Sequence, residues 1–167
     1  MKNIILTTLN ARYSHTSLAL RYLYANLKEL KENAKILEFV INSSNQTIAE
    51  QILEHKPKIV GIAVYIWNAT DVAELVQTIK KVSPETIVVL GGPEVSYKPL
   101  RVNFDMADYI ITGEGEVSFY NLCKDILDGN CKEPRVINSP KVDLENIVLP
   151  YDDYTDFDIK NRHIYVE

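Results

Sequence analysis

The sequence predicts a doubly wound α/β domain built on a parallel sheet, and three observations carry that prediction. Short β-branched runs such as Ile87-Val88-Val89-Leu90 lack polar alternation, as strands covered on both faces do. Longer segments with apolar residues three and four apart lie between those runs, which is the helical period. The connections are short, so strand and helix alternate five times and the crossovers must be parallel.

The first strand is Ile4 to Thr8, followed by the polar loop Leu9 to Ser17. A helix is expected from about Leu18 to Lys31, because Leu20, Leu23, Leu27 and Leu30 align on one face and Ser14, Thr16 and Ser17 offer capping hydroxyls. The second strand covers Ala34 to Ile41. After the turn Asn42-Ser43-Ser44-Asn45, Thr47-Ile48-Ala49-Glu50 reads as a capping box that opens a short helix to about Glu54. Pro57 ends it, and Ile59 to Val64 forms the third strand, running on through Tyr65-Ile66-Trp67-Asn68. Val72, Leu75, Val76, Ile79 and Val82 form the stripe of the next helix. The fourth strand stops on Gly91-Gly92-Pro93. Residues 95–108 are too irregular for a helix, and Tyr109 to Thr112 is the fifth strand. Gly113-Glu114-Gly115-Glu116 turns into a helix bearing Phe119, Leu122, Cys123, Ile126 and Leu127, which Asp128-Gly129-Asn130 terminates. Five strands in this pattern suit the flavodoxin-like (Rossmann-like) order 2-1-3-4-5.

The sheet is expected to be complete by Asp128, with residues 1–130 as the domain and residues 131–167 as a linker. That tail holds three of the seven prolines, Pro134, Pro140 and Pro150, and shows no clear period. His163 to Glu167 reads as the opening strand of a further domain, cut off.

At 167 residues the chain is long enough for a full core, with 46% hydrophobic and 25% charged residues. No run approaches the length of a membrane span, and the start lacks the pattern of a signal peptide. A net charge of −5 gives a nucleic-acid partner no support. Cys123 and Cys131, with seven residues between them, match no zinc or iron–sulfur spacing and read as free thiols of a cytoplasmic protein.

In open α/β sheets, ligands lie beyond the carboxyl ends of the strands. Four loops should meet there, residues 10–17, 65–68, 91–95 and 113–116. The first strand–helix turn holds no glycine, which excludes the G-x-G-x-x-G dinucleotide fingerprint. Bulky Arg12 and Tyr13 argue against a flavin-phosphate loop, and no acidic residues stand where a phospho-receiver would hold Mg²⁺. What remains is a lining of large flat groups, Tyr13, Tyr65, Trp67, Pro93 and Tyr97. Asn10, Ser14, His15, Ser17, Asn68 and Glu94 are interspersed with them. Such a lining suits a large ligand with an apolar body and an amide or hydroxyl fringe. The bland reading, aromatics packed under loops, stands beside it. Two glycines at a central strand end let a backbone or a flat ligand come close. No nucleophile–base pair and no carboxylate pair is placed for acid–base work, so catalysis by this chain alone is not expected.

Leu90-Gly91-Gly92-Pro93-Glu94-Val95, followed by Asp108 to Glu116, resembles the amino-terminal cobalamin-binding domain of B12-dependent radical S-adenosylmethionine (SAM) enzymes. Leu9 to His15 is similar to a bacterial branch of that group, broadly related to the anaerobic magnesium-protoporphyrin ester cyclases. The resemblance implies cobalamin lying flat across the carboxyl edge, with its nucleotide tail reaching down between sheet and helix. By position, Gly91 and Gly92 would let tail or corrin approach, with Pro93 and Glu94 beside them among the cofactor-binding residues. Tyr65, Ile66, Trp67 and Asn68 would line the cavity, and Asn10, Arg12, Tyr13, Ser14 and His15 would face the cobalt's lower side. Gly113, Glu114, Gly115 and Glu116 would border the ring. It further implies a following barrel that holds a [4Fe–4S] cluster on Cys-x-x-x-Cys-x-x-Cys and cleaves SAM, on a substrate these residues do not specify. That cysteine motif is absent from these 167 residues, so the chain reads as an excised domain. The Asp-x-His-x-x-Gly pattern of methionine-synthase-type domains is absent too, which implies cobalt without an imidazole from that motif.

Overall fold

The computed structural model describes residues 3–130 and 134–166. Six strands form one sheet in the order β2-β1-β3-β4-β5-β6. They are β1 (Ile4–Asn10), β2 (Ala34–Val40), β3 (Ile59–Ala63), β4 (Ile87–Gly91), β5 (Tyr109–Thr112) and β6 (Val136–Asn138). Every pairing is parallel. All seven residues of β1 are buried, as unbroken apolar strands at the centre of a covered sheet should be.

Two helical layers sandwich the sheet. On one face α2 (Asn45–Leu53) and α3 (Ala69–Val82) bury Ile48, Ile52, Val72, Leu75 and Ile79 against Ile5, Val60 and Val88. On the other, α1 (Leu18–Ala25) and α5 (Glu116–Leu127) bury Leu20, Phe119, Leu122 and Ile126 against Ile4, Leu6, Val89 and Ile111. Cys123 is a free, fully buried thiol in that second layer, and burial pushes its pKa up. Cys131 lies outside the described residues. No helix among the described residues is long and apolar enough to cross a membrane.

The five expected strands occur in the expected order, with four differences in detail. The first helix is interrupted: α1 ends at Ala25, and a 3₁₀ turn, Lys28–Asn33, completes the expected span. Asn26 makes the break, its side chain donating to Tyr22 O and Val148 O and accepting from Val148 N. The helix thus stops where an amide is needed to hold a distant segment. The capping box expected at Thr47 does not form. Helix α2 starts two residues earlier, at Asn45, with no side-chain cap bond. A four-residue helix, α4 (Pro93–Ser96), follows β4, where irregular chain was expected from residue 95. The sheet does not end at β5, because Val136–Asn138 adds a sixth strand at the edge. Three residues between Pro134 and Pro140 carry too little pattern to be read as a strand.

The tail is also more tightly held than a linker. Helix α6 (Asp156–Asn161) opens on a genuine capping box between Thr155 and Asp158. His163, expected to begin a strand of a further domain, bridges His15 in the β1–α1 loop. Its N–H donates to Ser14 O at 2.6 Å, and its carbonyl accepts from Thr16 N and Thr16 Oγ1.

Candidate functional site

The strand–helix loops converge on the carboxyl edge and enclose a cleft of about 780 Å³. Asn10, Arg12 and His15 bound it on the β1–α1 side, Tyr65 and Trp67 on the β3–α3 side, and Glu114 and Glu116 on the β5–α5 side. A narrower slot of about 170 Å³ runs between the sheet and the α1/α5 layer. Ala19, Tyr65, Glu114 and Glu116 line both hollows, so the slot meets the cleft at those residues.

The slot exists because side chains are missing. Residues 61 and 63 of β3 and 89 and 91 of β4 share the strand face that packs under α1 and α5. Three of those four are Gly61, Ala63 and Gly91. The glycines around the slot are there for different reasons. Gly92 has φ +104°, and an added Cβ would lie 2.6 Å from Val64 O, so the chain's own turn requires glycine. Gly61 lies beneath the Phe119 ring, whose Cζ would stand 2.8 Å from an added Cβ. Gly91 meets neither constraint. A Cβ there would touch only Ile111 O, at an ordinary 3.7 Å, and would project into the slot. The fold does not need a glycine at 91, but the slot does.

A flat wall separates the cleft from a second hollow. Tyr65 and Trp67 stack with ring centroids 4.6 Å apart and planes 3° apart. Trp67 Nε1 donates to Leu9 O, which fixes the pair against β1. Burial, the largest effect, pushes the Tyr65 phenol's pKa up, and the Glu38 charge adds to it against a hydrogen bond with Ser17. Tyr65 therefore stays a neutral phenol near pH 7.

The far side of the edge is built on charge. Arg21 on α1 donates to Glu38 on β2 and to Asp158 on α6, each at 3.0 Å. Arg162 reaches Glu38 at 3.1 Å and Asp158 at 3.4 Å. All four side chains are less than a tenth exposed. Arg21 also lies over the Tyr154 ring, and Arg162 over the Tyr13 ring. For Asp158, burial would raise the pKa, but hydrogen bonds from Thr155 and Arg21 with the Arg21 charge outweigh it and hold the carboxyl low. The clamp carries the tail back to the cleft, where Tyr165 Oη meets His15 Nδ1 and Tyr165 joins the lining.

The predicted residues therefore divide. Asn10, Arg12, His15, Tyr65, Trp67, Glu114 and Glu116 line the cleft, and Gly91, Gly92, Pro93, Gly113 and Gly115 line the slot. Asn68 faces neither. It is fully buried, its Oδ1 accepting from Tyr65 N while its Nδ2 donates to Thr8 Oγ1, Leu9 O and Ala63 O, so it is a bracket. Ile66 and Glu94 lie across the aromatic wall, in a hollow of about 450 Å³ shared with Tyr97 and Arg101. Tyr13 lies outside both, under Arg162, and Ser14 binds His163 through its carbonyl. Sequence reasoning missed Gly61, Ala63, Phe119 and Tyr165. Small residues two apart in a strand, Gly61 and Ala63, were the available signal for a slot. Tyr165 had none, since only tertiary docking brings it to the edge.

The geometry is one of a broad cleft with a narrow apolar slot under its rim. A family model for the B12 binding domain matches residues 4–123. This chain belongs to the B12-binding domain family. It is 33% identical over 79 residues to the cobalamin-dependent radical SAM methyltransferase TokK of Streptomyces tokunonensis, covering 46% of this chain and 11% of that protein. It is 29% identical over 68 residues to the 2-(S-pantetheinyl)-carbapenam-3-carboxylate methyltransferase of Streptantibioticus cattleyicolor, covering 40% of this chain and 10% of that protein. The matched stretches thus span about a tenth of the length of these curated relatives. Among solved structures, the cobalamin-dependent SAM radical enzyme OxsB with aqua-cobalamin and SAM bound superposes with a TM-score of 0.65 at 16% identity. That match covers 83% of this chain and 22% of OxsB. A cobalamin-binding protein from Desulfitobacterium hafniense DCB-2 matches at TM-score 0.50 and 18% identity, over 74% of this chain and 57% of that one. At such identities these two likenesses speak for the fold.

Proposed function

We propose that this domain holds cobalamin across the carboxyl edge of its sheet, the corrin in the cleft and the nucleotide tail in the slot. The observation that carries this reading is Gly91, a glycine that no turn or packing contact explains and whose missing side chain leaves the slot open. The cleft lining fits the group. Corrin amides are donors, and the Glu114 and Glu116 carboxylates beside them are acceptors. The stacked Tyr65–Trp67 pair offers an apolar wall to the flat macrocycle and keeps water from that side. His15 sits in the same lining with Nδ1 engaged by Tyr165, which orients its ring. When bound, the cofactor supplies a cobalt centre able to carry a methyl group; this chain's residues bind, orient and shield it.

In this reading the domain presents cobalamin to a radical SAM barrel elsewhere in the same polypeptide. The [4Fe–4S] cluster and SAM belong to that barrel, which also selects the small-molecule substrate. Two cysteines with seven residues between them supply no cluster ligand set here, and no metal-binding group of His, Cys, Asp and Glu occurs among the described residues. The test is retention. Purified domain mixed with hydroxocobalamin and desalted should keep about one equivalent of corrin absorbance. Loss of all corrin on desalting would favour a cofactor-free docking module of the same fold. A Cys-x-x-x-Cys-x-x-Cys motif encoded downstream, with SAM cleavage by the longer polypeptide, would test the barrel.

A further inference from the structure

The slot has a floor as well as a mouth, and the floor is one ring. Phe119 on α5 lies on Gly61, so closely that a Cβ at 61 would stand 2.8 Å from Phe119 Cζ and 2.9 Å from Cε2. Gly61 is two residues below Ala63, which pairs in register with Gly91 at the rim. Two residues of strand set the depth from rim to floor at about 7 Å. The walls between are apolar, contributed by Leu23, Val89 and Ile111. The polar side chains that line the slot, Tyr65, Glu114 and Glu116, all line the cleft as well, so they stand at the mouth. The strand backbones between are committed to the sheet ladder. A polar ring atom lowered to the floor therefore finds no partner.

Resting on the cobalamin reading, we propose that Phe119 and Gly61 make this domain selective for corrinoids whose nucleotide base is an apolar aromatic, such as 5,6-dimethylbenzimidazole, over those carrying adenine. A shallow apolar pocket accepts methyl groups and the face of a fused ring, each gaining from removal of water. Adenine brings an exocyclic amine and ring nitrogens that lose their water without replacement, and desolvating such groups unpaired is costly. Specificity of this kind needs no contact made to the favoured base, only the absence of one for its competitor.

The experiment compares three corrinoids on the intact domain: cobalamin, its adenine-containing analogue and cobinamide, which has the corrin but no nucleotide. Affinity is followed by quenching of Trp67, the chain's one tryptophan, in the cleft wall. Cobalamin should bind at least ten-fold tighter than the adenine analogue and tighter still than cobinamide. In Phe119→Ala the slot deepens, and the gap between cobalamin and the adenine analogue should narrow. In Gly61→Ala the new methyl group drives the ring up into the slot, and cobalamin should fall towards cobinamide, whose own affinity stays unchanged. Equal affinities for cobalamin and the adenine analogue in the wild-type domain, where folding is not in question, would overturn the proposal. So would cobinamide binding as tightly as cobalamin, which would also take the nucleotide tail out of the slot; the first result would leave the cobalamin reading standing. Failure of all three corrinoids to bind would overturn that reading, and this one with it.

Discussion

One edge of the sheet is finished in two different ways. Over β1 and β2 it is closed by charge, with Arg21, Glu38, Asp158 and Arg162 locking α6 and the tail onto the body. Over β3, β4 and β5 it is left open by omission, with Ala63 and Gly91 where larger side chains would fill the space. The closed half is dense in hydrogen bonds and contributes structure. The open half holds a slot that no side chain fills, and a protein gains nothing from an unfilled slot unless something else occupies it. The clamp and the slot are thereby separated along a single edge, and substitutions in the two should have opposite profiles.

The largest effect on folding should come from the closed half. Arg21→Met leaves Glu38 and Asp158 buried near each other with only Arg162 between them, and breaking a buried pair of this kind costs about 3–5 kcal/mol. Urea unfolding should show that loss, whereas a shift below about 1 kcal/mol would mean the network is not the clamp described. Gly92→Ala comes next, because it forces φ +104° on a side chain that also meets Val64 O. Backbone strain of that order costs about 1–3 kcal/mol and should appear as a lower unfolding midpoint.

Acid should loosen the tail before the sheet. The folded Asp158 carboxyl sits below its ordinary value, so its contribution is fully present above about pH 4, the ordinary aspartate range. That contribution is lost as pH falls from there through the folded value. Asp158→Asn should flatten this acid limb in a pH series of unfolding midpoints, and an unchanged limb would assign it to other carboxylates. The smallest effect on folding belongs to Gly91→Ala. Its methyl group has room, and alanine in a strand is better than glycine by up to about 1 kcal/mol, so stability should hold or rise slightly while cobalamin affinity falls. Weaker folding with unchanged affinity would invert the comparison.

The contrast also explains what the sequence could disclose. Unbroken runs such as Ile59–Ala63 and Ile87–Gly91 announced five strands and their order, because burial on both faces leaves a local signature. The Gly91-Gly92-Pro93 stop marked the edge where the cleft and the slot lie. What local pattern could not separate was the reason for each glycine: Gly92 answers to Val64 and Gly91 to the slot, yet they are adjacent and chemically identical. Asn68, expected in the lining, is spent on Thr8, Leu9, Ala63 and Tyr65, a bracket that only the β1–β3 pairing creates. The charged clamp was illegible for the same reason. Arg21 and Asp158 are 137 residues apart, and nothing near either announces the other.

The central claim is that the absent side chain at position 91 is what admits the cofactor. Titrating hydroxocobalamin into the wild-type domain and into Gly91→Leu, both confirmed folded by unfolding midpoint, measures it directly. The account predicts saturable quenching of Trp67 in the wild type and at least a ten-fold weaker response in Gly91→Leu. Equal affinity in the two proteins would contradict it.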